Sequence, residues 1–196
     1  MLIVGAGVSV VLIALAVRRL DPERIPQAAV LAAAFFVASL VSVPVGPGSV
    51  HPIFSGLMGL LLGWAAVPVV LVALVLQALF FGHGGLLALG VNLMNLAVPA
   101  LICAALLGPI LRRAPEGRRM ALVGAIAGAL GAGLTGLMVS LSLAASGEAF
   151  VAAARLVLAA YLPLGLAEAM LTAAVVGFLA RVAPEILTPA TEDGDV

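Results

Sequence analysis

Charged residues are scarce in this sequence: only 9% of its 196 residues are Asp, Glu, Lys or Arg, and lysine is absent. A soluble globular domain carries about 25% charged residues, so this composition excludes one. Hydrophobic residues make up 64% of the chain, and its mean hydropathy is +1.31. The composition therefore indicates an integral membrane protein. Strands of alternating hydrophobicity are absent, which excludes an outer-membrane barrel.

Cysteine and catalytic motifs are also missing or rare. Cys103 is the only cysteine, so no internal disulfide can form, and its apolar surroundings favour a small buried side chain. The sequence contains no phosphate-binding loop, no HExxH motif and no GxSxG motif. An intramembrane enzyme is therefore disfavoured, because no nucleophile–base pair is evident. If the protein is a transporter, it must draw its energy from an ion gradient or from a separate ATPase, because it has no phosphate-binding loop.

The apolar runs predict an all-α fold, a bundle of about seven transmembrane or membrane-buried helices formed by residues 1–187. Glycine and proline clusters separate the runs and predict helices over about 2–17, 25–43, 52–63, 68–81, 93–111, 120–144 and 149–181. Residues 44–52 are predicted to form a turn-rich loop. The third helix is too short to cross about 30 Å and is expected to pack inside the bundle. The acidic tail 188–196 is expected to be disordered.

The arginines predict the orientation of the bundle. They cluster in two connectors and recur at the end of the last helix, at Arg18, Arg19, Arg24, Arg112, Arg113, Arg118, Arg119 and Arg181. With seven helices, all eight lie on one side, which the positive-inside rule assigns to the cytoplasm. The N-terminus is then outside and the C-terminus cytoplasmic. The loops that carry His51 and His83, the only two histidines, both face outside.

Polar residues that interrupt the apolar runs are the candidate site. Neutral imidazole is a good ligand for nickel, cobalt, copper and zinc, so His51 and His83 are candidate metal ligands. Gln77, Asn92 and Asn95 are candidates for supporting those ligands or forming a lid over them. The alternatives are interfacial histidines bonded to water or backbone, and amides that hydrogen-bond between helices. Two histidines alone do not make a metal site.

Glu168 is the one acid deep within an apolar run. A carboxylate there is costly and marks a functional hypothesis, such as proton relay, cation binding or contact with a partner arginine. We predict a structural or coupling role rather than a ligand, because its position along the last helix places it closer to the cytoplasmic face than to the histidine loops.

Glycines recur at three- and four-residue spacing in the sixth predicted helix, at Gly124, Gly128, Gly131, Gly133 and Gly136. Small residues let helices approach closely within a membrane. We predict that this helix packs inside the bundle, in preference to offering a docking face for another subunit.

These features resemble the CbiM/NikM proteins, the substrate-capturing components of energy-coupling-factor (ECF) transporters for cobalt and nickel. The similarity lies in residues 24–33, in His51 before a glycine-rich short helix, in residues 77–95 and in residues 162–185. The resemblance implies Co²⁺ or Ni²⁺ as transported substrate, no permanently bound cofactor and no enzyme activity in this chain. It implies a prokaryotic cell-membrane location and supply of metal to cobalamin biosynthesis or nickel enzymes.

The same resemblance implies the partners. These are a transmembrane coupling protein (the T component) and ABC ATPase subunits, with a small accessory membrane protein as a further candidate and no nucleic acid. The alternatives at this point are a capture subunit for another small solute, such as a vitamin, and a non-transporting membrane scaffold.

The sequence departs from the family at the implied ligands. In the family these are the N-terminal amino group, a histidine at position two and a later histidine, which His51 matches. Position two here is Leu2. Either a short metal-binding segment precedes Met1 or the chain is a divergent member, and we expect the first, because an apolar helix without an interfacial flank is unusual. His83 replaces a usual acid and is the weaker ligand candidate. The donor types do not choose between cobalt and nickel.

Overall fold

Apolar helices form most of the computed structural model, which describes residues 1–45, 48–82, 85–113 and 117–187. The tail 188–196 and His83 lie outside the described residues. The main helices are α1 (Leu2–Val17), α2 (Ile25–Ala38), α3 (Ser55–Leu62), α4 (Ala66–Phe81), α5 (Leu89–Arg113), α6 (Gly117–Ala144), α7 (Val151–Val182) and α8 (Pro184–Leu187). Single 3-10 turns cover Pro22–Arg24, Gly63–Ala65 and Glu148–Phe150. The predicted all-α membrane bundle is confirmed.

A small hairpin replaces part of the predicted second helix and loop. Val43–Val45 (β1) pairs antiparallel with Gly48–Val50 (β2), with Val43 opposite Val50. Helix α2 consequently ends at Ala38, and the predicted end at residue 43 is wrong. The valines on both sides of the hairpin favour extended backbone, which competes with continuation of the helix.

Helix α3 is short and internal, as predicted. All but one of its eight residues are buried. Residues Ser55–Phe81 form an apolar stretch long enough to cross a membrane. Gly63, however, has φ of +55°, a conformation that glycine adopts without steric cost, and it separates α3 from α4. The chain therefore changes direction at Gly63.

Helices α1 and α5 run parallel from one end of the bundle. Gly5 packs directly against Val91, and the Ser9 hydroxyl donates to the Gly90 carbonyl oxygen at 2.6 Å. Because Gly90 also packs on Ala6, the start of α5 is held helical from Leu89, four residues before the predicted start. The far ends of these two helices carry the arginine clusters.

The arginine clusters meet at one end of the bundle, called here the arginine end. The Arg19 guanidinium lies 4.4 Å from the Trp64 ring centroid, and Trp64 lines a groove together with Arg112. Helix α7 runs antiparallel to α6, with Gly117 near Ala180, so Arg181 also returns to this end. The predicted grouping of the arginine connectors is confirmed, and the positive-inside rule makes this end cytoplasmic.

His51 lies at the opposite end, called here the histidine end. The Phe35 ring centroid, near the end of α2, lies 5.9 Å from that of His51. The neighbouring Phe36 stacks on Phe81 at 5.4 Å, at the end of α4. The chain therefore brings the His51 connector and the start of the 82–88 connector to the same end.

Within the described residues, four stretches are long and apolar enough to span a membrane: Ser55–Phe81, Leu89–Arg113, Gly117–Ala144 and Glu148–Val182. Helices α1 and α2 are shorter apolar helices. The protein is therefore a multi-pass membrane protein. Glycines Gly124, Gly128, Gly131 and Gly136 of α6 pack against α3 or α7 as predicted, whereas Gly133 faces open space.

Candidate metal-binding site

His51 is positioned by its own backbone neighbourhood, between β2 and α3. Its Nδ1 lies 2.9 Å from the Pro52 carbonyl oxygen. A carbonyl oxygen can only accept, so Nδ1 donates and the lone pair of the neutral ring is on Nε2. Metal-binding histidines characteristically donate their second ring nitrogen to a carbonyl or carboxylate in this way. The half-buried imidazole therefore has the tautomer of a metal ligand.

Glu168 anchors the chain immediately after His51. Its Oε1 accepts hydrogen bonds from the Ile53 N–H at 2.7 Å and the Phe54 N–H at 3.2 Å, and Oε2 lies 3.2 Å from the same Phe54 nitrogen. Two successive N–H groups that converge on one anion form a backbone nest. The start of α3 adds the positive end of a helix dipole. The carboxylate of α7 therefore fixes residues 51–54, called here the His51 segment.

The predicted separation of Glu168 from the histidine loops is wrong. Glu168 is only 2% exposed, and it contacts a residue two positions after His51. The reason is that residues 51–54 lead into the bundle before α3 begins, so the start of α3 meets the middle of α7. Counting along α7 alone could not reveal this, because the depth of the His51 segment is set by its partners.

Phe54 has a strained backbone. Its φ of 52° and ψ of 21° place it in the left-handed region, and it is the only non-glycine residue with positive φ in the described part of the chain. For a bulky residue this costs roughly 1–3 kcal/mol and persists only when the surroundings enforce it. The nest on Glu168 supplies that enforcement. Sequence reasoning missed Ile53 and Phe54, since a backbone contact leaves no residue-type signature.

The base of the His51 segment is packed backbone to backbone. A Cβ added at Gly128 would lie 2.7 Å from the Glu168 carbonyl carbon and 2.9 Å from Cα of Ala169. Gly131 meets Gly56 with similar closeness. The Oγ of Ser55 and Oγ1 of Thr135 are 3.2 Å apart. Helices α3, α6 and α7 therefore hold Glu168 and the start of α3 in one rigid arrangement.

The amide candidates lie mainly between helices. Asn95, 2% exposed, accepts a 3.0 Å hydrogen bond from the Ser142 hydroxyl, which joins α5 to α6. Gln77 is 3% exposed, and its Nε2 has no hydrogen-bond partner among the described residues. Asn92 is half-buried near the start of α5. Asn95 therefore makes a hydrogen bond between helices, which was the alternative to a role in supporting the metal ligands.

Among the described residues, His51 is a strong candidate donor for a metal, but the other donors that a metal site needs are not found beside it. No group of three or more His, Cys, Asp or Glu side chains close enough to hold a metal occurs within them. The amino-terminal end of α1 lies at the same end of the bundle as His51, through the contacts of Gly5 and Ala6 with α5. Donors near the N-terminus are thus at the correct end to complete a site.

Comparisons with known proteins agree with this picture. The family model of CbiM, described as "Cobalt uptake substrate-specific transmembrane region", matches residues 1–186. A "Putative metal transport protein" of Haemophilus influenzae is 40% identical over 187 residues, which cover 95% of this chain and 91% of that protein. The "Fused nickel transport protein NikMN" of Rhodobacter capsulatus is 34% identical over 191 residues, 88% of this chain and 55% of its own length. The chain therefore spans about half of that fused protein.

Solved structures show the same fold. The crystal structure of a transition metal transporter matches with a TM-score of 0.74 and 26% identity, covering 92% of this chain and 88% of that one. A truncated transition metal transporter matches with a TM-score of 0.71 and 27% identity, covering 91% and 92%. The resemblance to CbiM/NikM proteins is confirmed. This chain belongs to the CbiM family of substrate-specific transmembrane components for cobalt uptake.

Proposed function

We propose that the protein captures Co²⁺ or Ni²⁺ at the histidine end of the bundle and passes it across the cell membrane as the substrate-binding component of an ECF transporter. Membership of the CbiM family supports the substrate class. The observation that carries the site is the pairing of a correctly oriented imidazole with a buried anchor, since Glu168 fixes the backbone next to His51.

His51 supplies Nε2 as a metal donor in this proposal. Cobalt and nickel both favour nitrogen ligands. The Pro52 carbonyl oxygen orients the ring, and Glu168 restricts the segment that carries it. A preorganised donor loses little conformational freedom when the metal binds, so more of the binding energy remains as affinity.

The rest of the donor set comes from the histidine end. The N-terminal region is the first source, because α1 begins at that end, and His83 is the second. Gln77, Asn92 and Asn95 act as supporting wall or lid. Glu168 positions His51 in this proposal rather than binding the metal, since it is only 2% exposed and holds the backbone of Ile53 and Phe54.

Energy for transport comes from separate subunits in this proposal. The sequence contains no phosphate-binding loop. ABC ATPase subunits supply ATP hydrolysis, and a transmembrane coupling protein links them to this chain, as in the family that the chain belongs to. The arginine end, on the cytoplasmic side, is the end nearest the ATPases.

The test is a calorimetric titration of the purified protein with Ni²⁺ and Co²⁺, on this chain and on a version to which a Met-His segment, as the family resemblance implies, has been added before Met1. His51→Ala is expected to lower affinity at least tenfold, because a direct ligand is lost. Leu87→Ala is the control, since Leu87 is 89% exposed and belongs to the connector at the same end. The proposed function is wrong if neither version binds either metal, and the ligand assignment is wrong if His51→Ala binds as tightly as the native protein.

A further inference from the structure

A groove that reaches the arginine end contains none of residues 51–54 in its lining. Its volume is about 540 Å³, within the range of about 300–1,000 Å³ typical of small-molecule pockets. Its walls come from α1, α3 and α5, and are mainly apolar, with Leu12, Leu60 and Ile102 among them. Trp64, at the arginine end, is also part of the lining.

Two guanidinium groups lie where the apolar walls end. Arg19 stacks over Trp64 at 4.4 Å from the ring centroid. The Arg112 side chain folds back along α5, where a Cβ added at Gly108 would lie 3.4 Å from Nη1. Both arginines are exposed. The groove is thus apolar along its length, with the Arg112 guanidinium in its lining and the Arg19 guanidinium against the lining residue Trp64.

We propose that this groove binds an anionic phospholipid of the cytoplasmic leaflet. The acyl chain lies along the apolar walls, and the phosphate accepts hydrogen bonds from Arg19 and Arg112. Guanidinium groups match phosphate oxygens in geometry and charge, and tryptophan prefers the headgroup level. Basic pockets between transmembrane helices on the cytoplasmic side are suited to anionic headgroups.

The charge distribution favours a lipid over other occupants. A free phosphate ion would use the two arginines but not the apolar walls. A partner helix would need no pair of cations at one end of an otherwise apolar groove. A ligand with one anionic end and a long apolar part matches both features, and the anionic lipids of the cytoplasmic leaflet have this form.

Trp64 provides the probe, because it is the only tryptophan in the chain. The full chain is reconstituted into vesicles of brominated phosphatidylglycerol or brominated phosphatidylcholine, whose bromine atoms quench tryptophan fluorescence on contact. We expect phosphatidylglycerol to be preferred at Trp64, by about fivefold for each arginine. The Arg19→Gln/Arg112→Gln double variant should bring the ratio close to one. Arg181→Gln, at the same end but in the lining of a separate pocket between α6 and α7, should leave the ratio unchanged.

The ratio of the two lipids is compared within each variant, because losing the cation over Trp64 changes its emission by itself. Equal quenching by both lipids overturns the proposal, as does a phosphatidylglycerol preference that survives in the double variant. Absence of quenching by either lipid also overturns it, since the groove is then closed or filled by protein. Loss of the preference on adding inorganic phosphate at matched ionic strength would show an anion site rather than a lipid site.

Discussion

Removing the Glu168 carboxylate is expected to release the His51 segment and weaken metal binding. Glu168→Ala leaves the N–H groups of Ile53 and Phe54 without their acceptor. Each orphaned buried N–H costs about 1–3 kcal/mol. Two effects offset part of this loss: Phe54 can leave its strained conformation, and the desolvation cost of the carboxylate disappears. We therefore expect the free energy of unfolding to fall by about 1–3 kcal/mol.

Removing the Glu168 carboxylate should affect the metal affinity more clearly than the free energy of unfolding. Once the nest is lost, Phe54 returns to an ordinary backbone conformation and the orientation of His51 is no longer enforced. Losing a group that orients a ligand typically reduces metal affinity about 10–100-fold. Glu168→Gln keeps one acceptor oxygen for Ile53 but presents an amide NH₂ toward Phe54 in place of Oε2. Its affinity should therefore lie between those of the native protein and Glu168→Ala.

The assay combines thermal unfolding in detergent with calorimetric titration of Ni²⁺ and Co²⁺, in the version of the protein that binds metal. Glu148→Gln is the matched control, because it makes the same chemical change at an exposed position before α7. If Glu168→Ala is destabilised yet binds metal with native affinity, while His51→Ala does not, the positioning role is refuted and Glu168 is only a packing element.

Two further predictions concern packing and protonation. Gly128→Ala is expected to destabilise the protein by about 2 kcal/mol or more, because the new Cβ would press on the Glu168 backbone. Gly133→Ala should instead stabilise the protein by up to about 1 kcal/mol, because Gly133 faces open space and alanine favours a helix. Thermal unfolding compares the two, and equal shifts would contradict the close approach of α6 and α7. Acidification is expected to weaken Ni²⁺ binding, because protons compete with the metal for the lone pair of a histidine ligand. Titrations at neutral and acidic pH measure this, and pH-independent affinity would argue against a histidine ligand.

Periodicity and composition predicted the helices better than their boundaries. The apolar runs and the arginine clusters are local properties, so they could be read directly as helices and as one cytoplasmic end. The end of α2 was misplaced because a valine-rich segment can continue a helix or pair as a strand, and the pairing of Val43 with Val50 decides it. The start of α5 was misplaced because it depends on α1, through Gly90 and Ser9.

The candidate site was only partly predictable. His51 was singled out because its residue type suits a metal, and its role as a ligand remains a prediction. The assignments of His83 and the 188–196 tail remain predictions, since both lie outside the described residues. The role of Glu168 could be guessed from its cost in a membrane, but its partners could not, because they are backbone N–H groups of Ile53 and Phe54, more than a hundred positions away.

By itself, the sequence determined that this is a membrane helix bundle with arginines at one end and the His51 connector at the other, because hydropathy and charge act locally on each segment. Only the tertiary structure decided that the His51 segment enters the bundle and rests on Glu168. That contact joins distant parts of the chain through backbone groups, and it forms only where the glycines of α6 and α3 let three helices approach.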